Sequence, residues 1–539
     1  MKFSQISFLL LLILTQQQDE IEIDLSNSEN RKIGFDNFFK DESTNDLKIK
    51  ERDFTEDLCQ KRPNPLDPNF YYVIPTIKAK LYKEFQKVKF TSRCFKEITA
   101  TFKSFDKNKI LLTLETKGKK KFLCTDTFLI HTSNINKIVP ILTNGNHKIK
   151  IKHLTQNDID EIKYNSIKIL GFCQGIISSI KSLFMSIKLY LGGMGLNPKN
   201  PIPFLRPKVP EYLEKANIEM LKLYNNYTCK PRKNNLVKMN KKNIHTGDFV
   251  GVHRVDGLGS MIQMGTGSHI GHAAVAAWID GELYVLESQD SPNWPKKGIQ
   301  KNKYEDFVKY AMDTERSVVI LPMKEELRKK FNEKKAIQWF LKEAEGLDYG
   351  YKNFIFSWID TKDKNLPFIT SHELVEIIFS IIEKFNRKLS DKMVGEGLNL
   401  RLGTKGLSIP EIIAKAAKKG MSFEELLAIP ERDEWVYSNG KNFVCSAFVT
   451  YFYKVGGLFN GIDIQAREFT PRDIYMLDFW DKNYKRPKEC IDADPDLPYC
   501  QIMGKFKVEL PGYSSVHPYS KMNEKCPTQG PKFERPNKC

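Results

Sequence analysis

The chain has 539 residues, of which 41% are hydrophobic and 12% aromatic. This length exceeds what one hydrophobic core usually organises and this composition excludes wholesale disorder, so we expect two or three packed domains. Lysine and arginine exceed aspartate and glutamate by 84 − 66 = 18. Such an excess favours anionic partners: nucleic acid, acidic lipid surfaces or acidic polymers.

The N-terminus has the pattern of a secretory signal peptide over residues 1–18. Lys2 provides a positive start, a short apolar run covers residues 6–14, and polar and acidic residues follow. An uncleaved anchor is the alternative. A secreted chain rarely meets nucleic acid, so the basic charge favours membranes, cell-wall polymers or simple solubility. Residues 171–193 are the next most apolar stretch, but Lys181 and Lys188 interrupt them, which predicts an amphipathic helix and no transmembrane segment.

Ten cysteines in a secretory context predict disulfides. If Cys445 stays free, nine remain, so at least one other cysteine is unpaired or intermolecular. No C-x-x-C pair occurs, and we expect neither a zinc site nor any other metal or cofactor. Asn226 begins a glycosylation sequon. Four cysteines crowd residues 486–539, which predicts a loop-rich tail with two bridges of open connectivity: Cys490, Cys500, Cys526 and Cys539.

The first half of the chain precedes the motifs that indicate chemistry. Residues 19–60 are polar and charged, typical of a poorly ordered segment. Residues 61–154 predict a β-rich accessory domain, with a basic turn at residues 117–121. Residues 155–240 predict a helical region. The strand-like runs are residues 70–74, 98–102, 110–114 and 122–130.

The helical pattern gives way to apolar strand-like runs near residue 241. We place the start of a catalytic domain there and its end at residue 485. Asp280-Gly281 separates two apolar runs, which strongly indicates a β-hairpin because a tight primed turn needs positive φ. Residues 317–322 predict a buried strand and residues 333–345 a helix. Residues 366–432 predict an inserted block of three helices, each beginning with a capping box. The boxes are Thr370 with Glu373, Ser408 with Glu411, and Ser422 with Glu425.

Three residues have the chemistry of a thiol-dependent site. Cys445 begins a predicted helix, where the helix dipole and free backbone N–H groups favour a thiolate and supply oxyanion donors. His272 begins the first strand of the hairpin, and Glu287 lies near the end of the second, placed to orient the imidazole. The alternatives are a buried structural thiol, a capping histidine and a solvated glutamate.

Four motifs in this order resemble the circularly permuted NlpC/papain-like cysteine amidases of the YiiX/YaeF type, which are related to lecithin–retinol acyltransferase. The motifs are Gly247-Asp248; His272-Ala-Ala-Val with Asp280-Gly281 and Tyr284-Val-Leu-Glu287; Gly346-Leu-Asp-Tyr349; and Cys445-Ser-Ala-Phe-Val. The likeness covers residues 243–365 and 435–478. It implies an α+β, permuted papain-like fold, with Cys445 as nucleophile, His272 as general base and Glu287 as the third residue. The family has an acidic residue where Ala447 stands here.

Several alternatives stay open around this site. His269 is an alternative base, although the distance to the hairpin turn fits His272 better. Trp278 and Tyr349 are candidate substrate-binding residues, or simply core residues. The inserted block is either a lid or a packed extension, and the broad apolar face of its first helix favours packing.

The sequence therefore predicts a secreted or lumenal thiol hydrolase, in an endomembrane or phagolysosomal compartment, that cleaves amide bonds. Its substrate is a peptide, a peptidoglycan crosslink or an N-acyl compound. A lipid acyltransferase or phospholipase would use the same residues. A non-catalytic secreted binding or structural protein on the same scaffold is the third alternative.

Overall fold

The computed structural model describes residues 20–24, 76–154 and 166–172 with short gaps, parts of 208–240, and 241–289, 298–350 and 394–522 with short gaps. The chain divides into two compact units, residues 1–187 and 188–539. The described residues contain both helices and strands, and the sheets are almost wholly antiparallel, which agrees with an α+β fold. The predicted signal peptide, Asn226, Cys526, Cys539 and most of the helix predicted at 171–193 lie outside the described residues. No helix within the described ranges is long and apolar enough to cross a bilayer.

The first unit contains two sheets around one apolar core. The five-stranded sheet has the order β1-β8-β5-β4-β3, and the four-stranded sheet has the order β2-β9-β6-β7. Apolar and polar residues alternate along the long strands, which buries one face of each. The strands are β1 (Glu20–Asp24), β2 (Thr76–Leu81), β3 (Lys87–Phe90), β4 (Phe95–Asp106), β5 (Lys109–Lys119), β6 (Asp126–His131), β7 (Asn136–Ile141), β8 (Gly145–Lys152) and β9 (Ile167–Gly171).

The first unit confirms the predicted β-rich region but extends it. Strand β9 lies in the range predicted to be helical and pairs with β2 and β6. Strand β5 continues to Lys119, so three of the five residues of the predicted basic turn are strand. A disulfide between Cys94 and Cys124 joins the residue before β4 to the segment before β6.

The second unit is built on a six-stranded sheet of order β13-β12-β11-β10-β14-β15, antiparallel throughout. Its strands are β10 (Phe249–His253), β11 (His272–Ile279), β12 (Glu282–Gln289), β13 (Gly298–Lys303), β14 (Ser317–Leu321) and β15 (Cys500–Met503). The described helices are α1 (Gly257–Thr266), α2 (Tyr304–Asp313), α3 (Glu325–Arg328), α4 (Glu333–Trp339), α5 (Glu396–Leu402), α6 (Ile409–Lys418), α7 (Cys445–Val455), α8 (Pro471–Met476) and α9 (Lys488–Ala493).

The hairpin of β11 and β12 confirms its sequence signal. Asp280 and Gly281 both have positive φ, 50° and 78°, which a primed two-residue turn requires. Along β11, Ala273, Val275 and Ala277 face one apolar cluster, and Ala274 and Ala276 face another. The sheet is therefore buried on both faces, and α7 packs in the first cluster.

The predicted loop-rich tail differs from the structure. Strand β15 pairs with β14 as the sixth strand of the sheet, and Val508 and Leu510 are buried in the same core as α7. The disulfide Cys490–Cys500 joins α9 to this strand. Residues 486–522 thus complete the domain that was expected to end at residue 485.

The inserted block is described from residue 394 onward; its first predicted helix and the start of its third lie outside. Ser408 and Glu411 form the predicted capping box of α6. The stretch between the first two predicted helices contains α5, which Gly403 ends in the left-handed conformation at φ 68°. Arg401 of α5 lies 3.5 Å from the buried Glu431, so this part of the block is anchored to the segment before α7.

Candidate active site

Cys445 is the first residue of α7, which confirms its predicted position. Val444 precedes it in an extended conformation and provides no side-chain cap, so the first N–H groups of the helix remain available to an anion. The Phe443 carbonyl accepts hydrogen bonds from Ser288 Oγ at 2.7 Å and from the Gly350 N–H at 3.0 Å. These bonds fix the turn before Cys445 to the end of β12. The thiol is free and 5% exposed.

His272 lies between Glu287 and Cys445. Its Nε2 is 2.8 Å from Glu287 Oε2, which confirms the expected contact. Cys445 is the other side chain that acts on the ring and favours its charged form. Burial disfavours the imidazolium, but the hydrogen bonds to Cys445 and Glu287 outweigh it and raise the pKa of His272 to about 9. The ring is therefore suited to remain protonated at neutral pH.

Glu287 has a further partner that the sequence did not reveal. Its carboxylate is fully buried, and Oε1 accepts a hydrogen bond of 2.7 Å from Asn302 Nδ2 on β13. A buried carboxylate is costly unless donors surround it, so Asn302 belongs to the support of the site.

Arg467 is a second residue that sequence reasoning missed. Its side chain is fully buried, its guanidinium donates to the Asn442 carbonyl at 3.2 Å, and it stacks on the Phe443 ring at 5.2 Å. Asp433 accepts from the Arg467 N–H at 3.2 Å and from Lys454 Nζ of α7 at 2.6 Å. The two ends of α7 are thus held by neighbouring residues. In the sequence, only the aromatic and charged residues before Cys445 indicate that this turn is anchored.

His269, the alternative base, lies in a different environment. Its Nδ1 is 2.6 Å from the carbonyl of Glu509, and its ring stacks on Tyr227 with centroids 3.9 Å apart. Burial lowers its pKa to about 4. These contacts are those of a packed neutral histidine, and they favour His272 as the residue that serves Cys445.

The two candidate substrate contacts are core residues. Trp278 packs in the apolar cluster on the other side of the sheet from α7, and its indole Nε1 donates to the Ile244 carbonyl at 2.7 Å. Tyr349 is 5% exposed and pairs with Phe443 in a short β-bridge. Trp278 therefore supports the segment before β10, whereas Tyr349 supports the turn before Cys445.

A second thiol offers an internal contrast. Cys229 is free and 6% exposed, as buried as Cys445, and its sulfur lies 4.0 Å from His253 Nε2. Burial raises the pKa of Cys229 to about 12 and lowers that of His253 to about 4. His253 Nδ1 contacts the neutral amide of Gln263 at 2.9 Å, where His272 has a carboxylate. This pair is therefore neutral.

Within the described ranges, no group of three histidine, cysteine, aspartate or glutamate side chains could hold a metal ion. No known family model, curated protein or solved structure matches the chain. The chemistry of the site must therefore be argued from its own geometry.

Proposed function

We propose that the second unit is a cysteine hydrolase that cleaves amide bonds, with a circularly permuted papain-like arrangement of Cys445, His272 and Glu287. The observation that supports it most directly is the placement of the His272 imidazole, which lies 2.8 Å from a buried carboxylate and is influenced by the free Cys445 thiol at the start of α7. A thiol at a helix N-terminus beside a protonated histidine is the setting in which cysteine becomes a nucleophile.

The reaction would proceed in two stages. The Cys445 thiolate attacks the substrate carbonyl carbon and forms a C–S bond, while the oxygen becomes an oxyanion that accepts from backbone N–H groups at the start of α7. His272 donates its proton to the amide nitrogen as the C–N bond breaks, which releases the amine and leaves a thioester. Water then gives a proton to His272, attacks the thioester carbon and displaces the thiolate, which restores the site.

Glu287 would support both stages without itself transferring a proton. Its charge stabilises the imidazolium, and its hydrogen bond to Nε2 keeps Nδ1 directed towards the sulfur. The signal-peptide pattern and the disulfides Cys94–Cys124 and Cys490–Cys500 support a secreted or lumenal location, since such bonds persist in oxidising compartments.

Thiol labelling tests this proposal, because Cys229 is an equally buried control in the same protein. Iodoacetamide should alkylate Cys445 of the native chain at pH 7 at least about 100-fold faster than Cys229. The reason is that His272, beside Cys445, is protonated at this pH, whereas His253, beside Cys229, is neutral. His272→Ala should abolish the difference and His269→Ala should largely preserve it. Peptide mass spectrometry gives both rates.

Three outcomes would contradict the proposal. Equal labelling of the two thiols in the wild type would favour a non-catalytic protein. Loss of labelling in His269→Ala alone would move the base to His269. A labelled Cys445 that takes acyl groups from lipid esters and transfers them to amines, with no amide hydrolysis, would make the protein an acyltransferase.

A further inference from the structure

Three polar residues form a diagonal row across the sheet. His272, Glu287 and Asn302 lie on the adjacent strands β11, β12 and β13, each 15 residues after the one before. Ala274 is the register partner of Glu287, and Val285 is the register partner of Asn302. Each member is therefore two residues from direct pairing with the next, on the same face, a separation that long polar side chains bridge.

The row is continuous through hydrogen bonds. Asn302 Nδ2 lies 2.7 Å from Glu287 Oε1, and Glu287 Oε2 lies 2.8 Å from His272 Nε2. Each oxygen of the carboxylate is thus assigned to a different neighbour. The bond from Asn302 prevents rotation of the carboxylate, and that rotation would otherwise withdraw Oε2 from the imidazole.

The identity of the donor also matters. Glu287 is fully buried and Asn302 is 8% exposed, so water contributes little to solvating the carboxylate. A neutral amide donates a hydrogen bond without cancelling the negative charge, which remains available to the imidazolium. Lysine or arginine at position 302 would form an ion pair with Glu287 and reduce its effect on His272.

We propose that Asn302 is a positioning residue of the Cys445 site, which it serves by fixing the Glu287 carboxylate against His272. This inference rests on the proposed thiol chemistry. Asn302 does not touch the reacting atoms. It acts through Glu287 and so determines how well His272 holds its proton beside the sulfur.

The test compares two buried asparagines in the full-length protein. Asn302→Ala removes the donor to Glu287. Asn399→Ala is the matched control, because Asn399 is 5% exposed and donates to the carbonyls of Gly395 at 2.8 Å and Leu407 at 2.9 Å in the inserted block. Both variants lose a buried amide, but only the amide of Asn302 contacts Glu287.

The readouts are the titration midpoint of the His272 imidazole by NMR and the pH profile of Cys445 alkylation. Asn302→Ala should lower the midpoint by about one pH unit, since a hydrogen bond to a charged group changes a proton equilibrium by roughly tenfold. Alkylation at pH 7 should slow by about the same factor. Asn302→Gln should recover part of both effects, and Asn399→Ala should change neither.

The possible failures are distinguishable. If wild-type Cys445 reacts no faster than Cys229, the proposed function fails whatever Asn302 does. If Cys445 is fast and Asn302→Ala has the wild-type midpoint, or if Asn399→Ala shifts it equally, the positioning role is refuted and the function stands. If Asn302→Ala does not fold, Asn302→Leu, which has a similar volume, takes its place. The His272 titration midpoint of that variant then tests the positioning role.

Discussion

The buried neutral histidines His253 and His269 should make the second unit sensitive to mild acid. Burial lowers the pKa of each from 6.5 to about 4. Between pH 6.5 and 4 the unfolded chain therefore binds more protons than the folded chain. The stability that is present above pH 6.5 is lost as the pH falls towards 4. At pH 5 each histidine should reduce the free energy of unfolding by about 2 kcal/mol relative to pH 7.5, and below pH 4 by about 3 kcal/mol.

His272 changes stability in the opposite direction. Its pKa is raised to about 9, so its contribution is complete below pH 6.5 and is lost as the pH rises through 9. When the pH falls from 7.5 to 5, His272 increases the free energy of unfolding by about 1 kcal/mol and partly offsets the loss caused by His253 and His269. The comparison must therefore be made against variants that keep His272.

Urea unfolding followed by tryptophan fluorescence at pH 7.5 and 5 is the assay. All six tryptophans lie between residues 278 and 480, so the signal follows the second unit. His253→Gln and His269→Gln remove one titrating group each. The free energy of unfolding of each variant should therefore fall by about 2 kcal/mol less than that of the wild type on acidification. A wild-type loss equal to that of both variants would refute the reasoning.

Three further predictions concern stability and use the same unfolding measurement. Arg232→Met should lower the free energy of unfolding by about 3–5 kcal/mol, because it leaves Asp494 buried without the partner now at 2.8 Å; a loss below about 1 kcal/mol would contradict this. Gly456→Ala should cost about 1–3 kcal/mol, because the added Cβ would lie 2.0 Å from the Phe331 ring, and an unchanged value would mean that the ring moves freely. Ser408→Ala should cost about 1 kcal/mol through loss of the α6 cap, and Ser408→Thr, which keeps the hydroxyl, should not.

The catalytic candidates were predictable because local signals placed them. The Asp280-Gly281 turn fixes the hairpin register, and that register brings Glu287 to His272. Cys445 followed from a helix that begins after an extended segment and ends at glycines. In each case a short stretch of sequence determines the geometry.

The supporting residues were not predictable because their partners are distant in sequence. Strand β13, with the sequence GIQKNK, is too polar to read as part of a buried sheet, so Asn302 was missed. Arg467 acts through a carbonyl 25 residues away. Helix α1 contains glycines that normally disfavour helix, but a Cβ on Gly259 would lie 2.7 Å from the Arg254 carbonyl, so the capped turn at Asp256 requires glycine there.

The position of β15 has a consequence for biosynthesis. This strand covers the edge of β14, and the chain must be made as far as residue 503 before it can do so. Until then β14, with five buried apolar or small residues in succession, presents unpaired backbone groups to any other nascent strand. A premature stop after α8 would leave Cys445, His272 and Glu287 in the chain and the sheet edge open. Such a product should aggregate through this open edge.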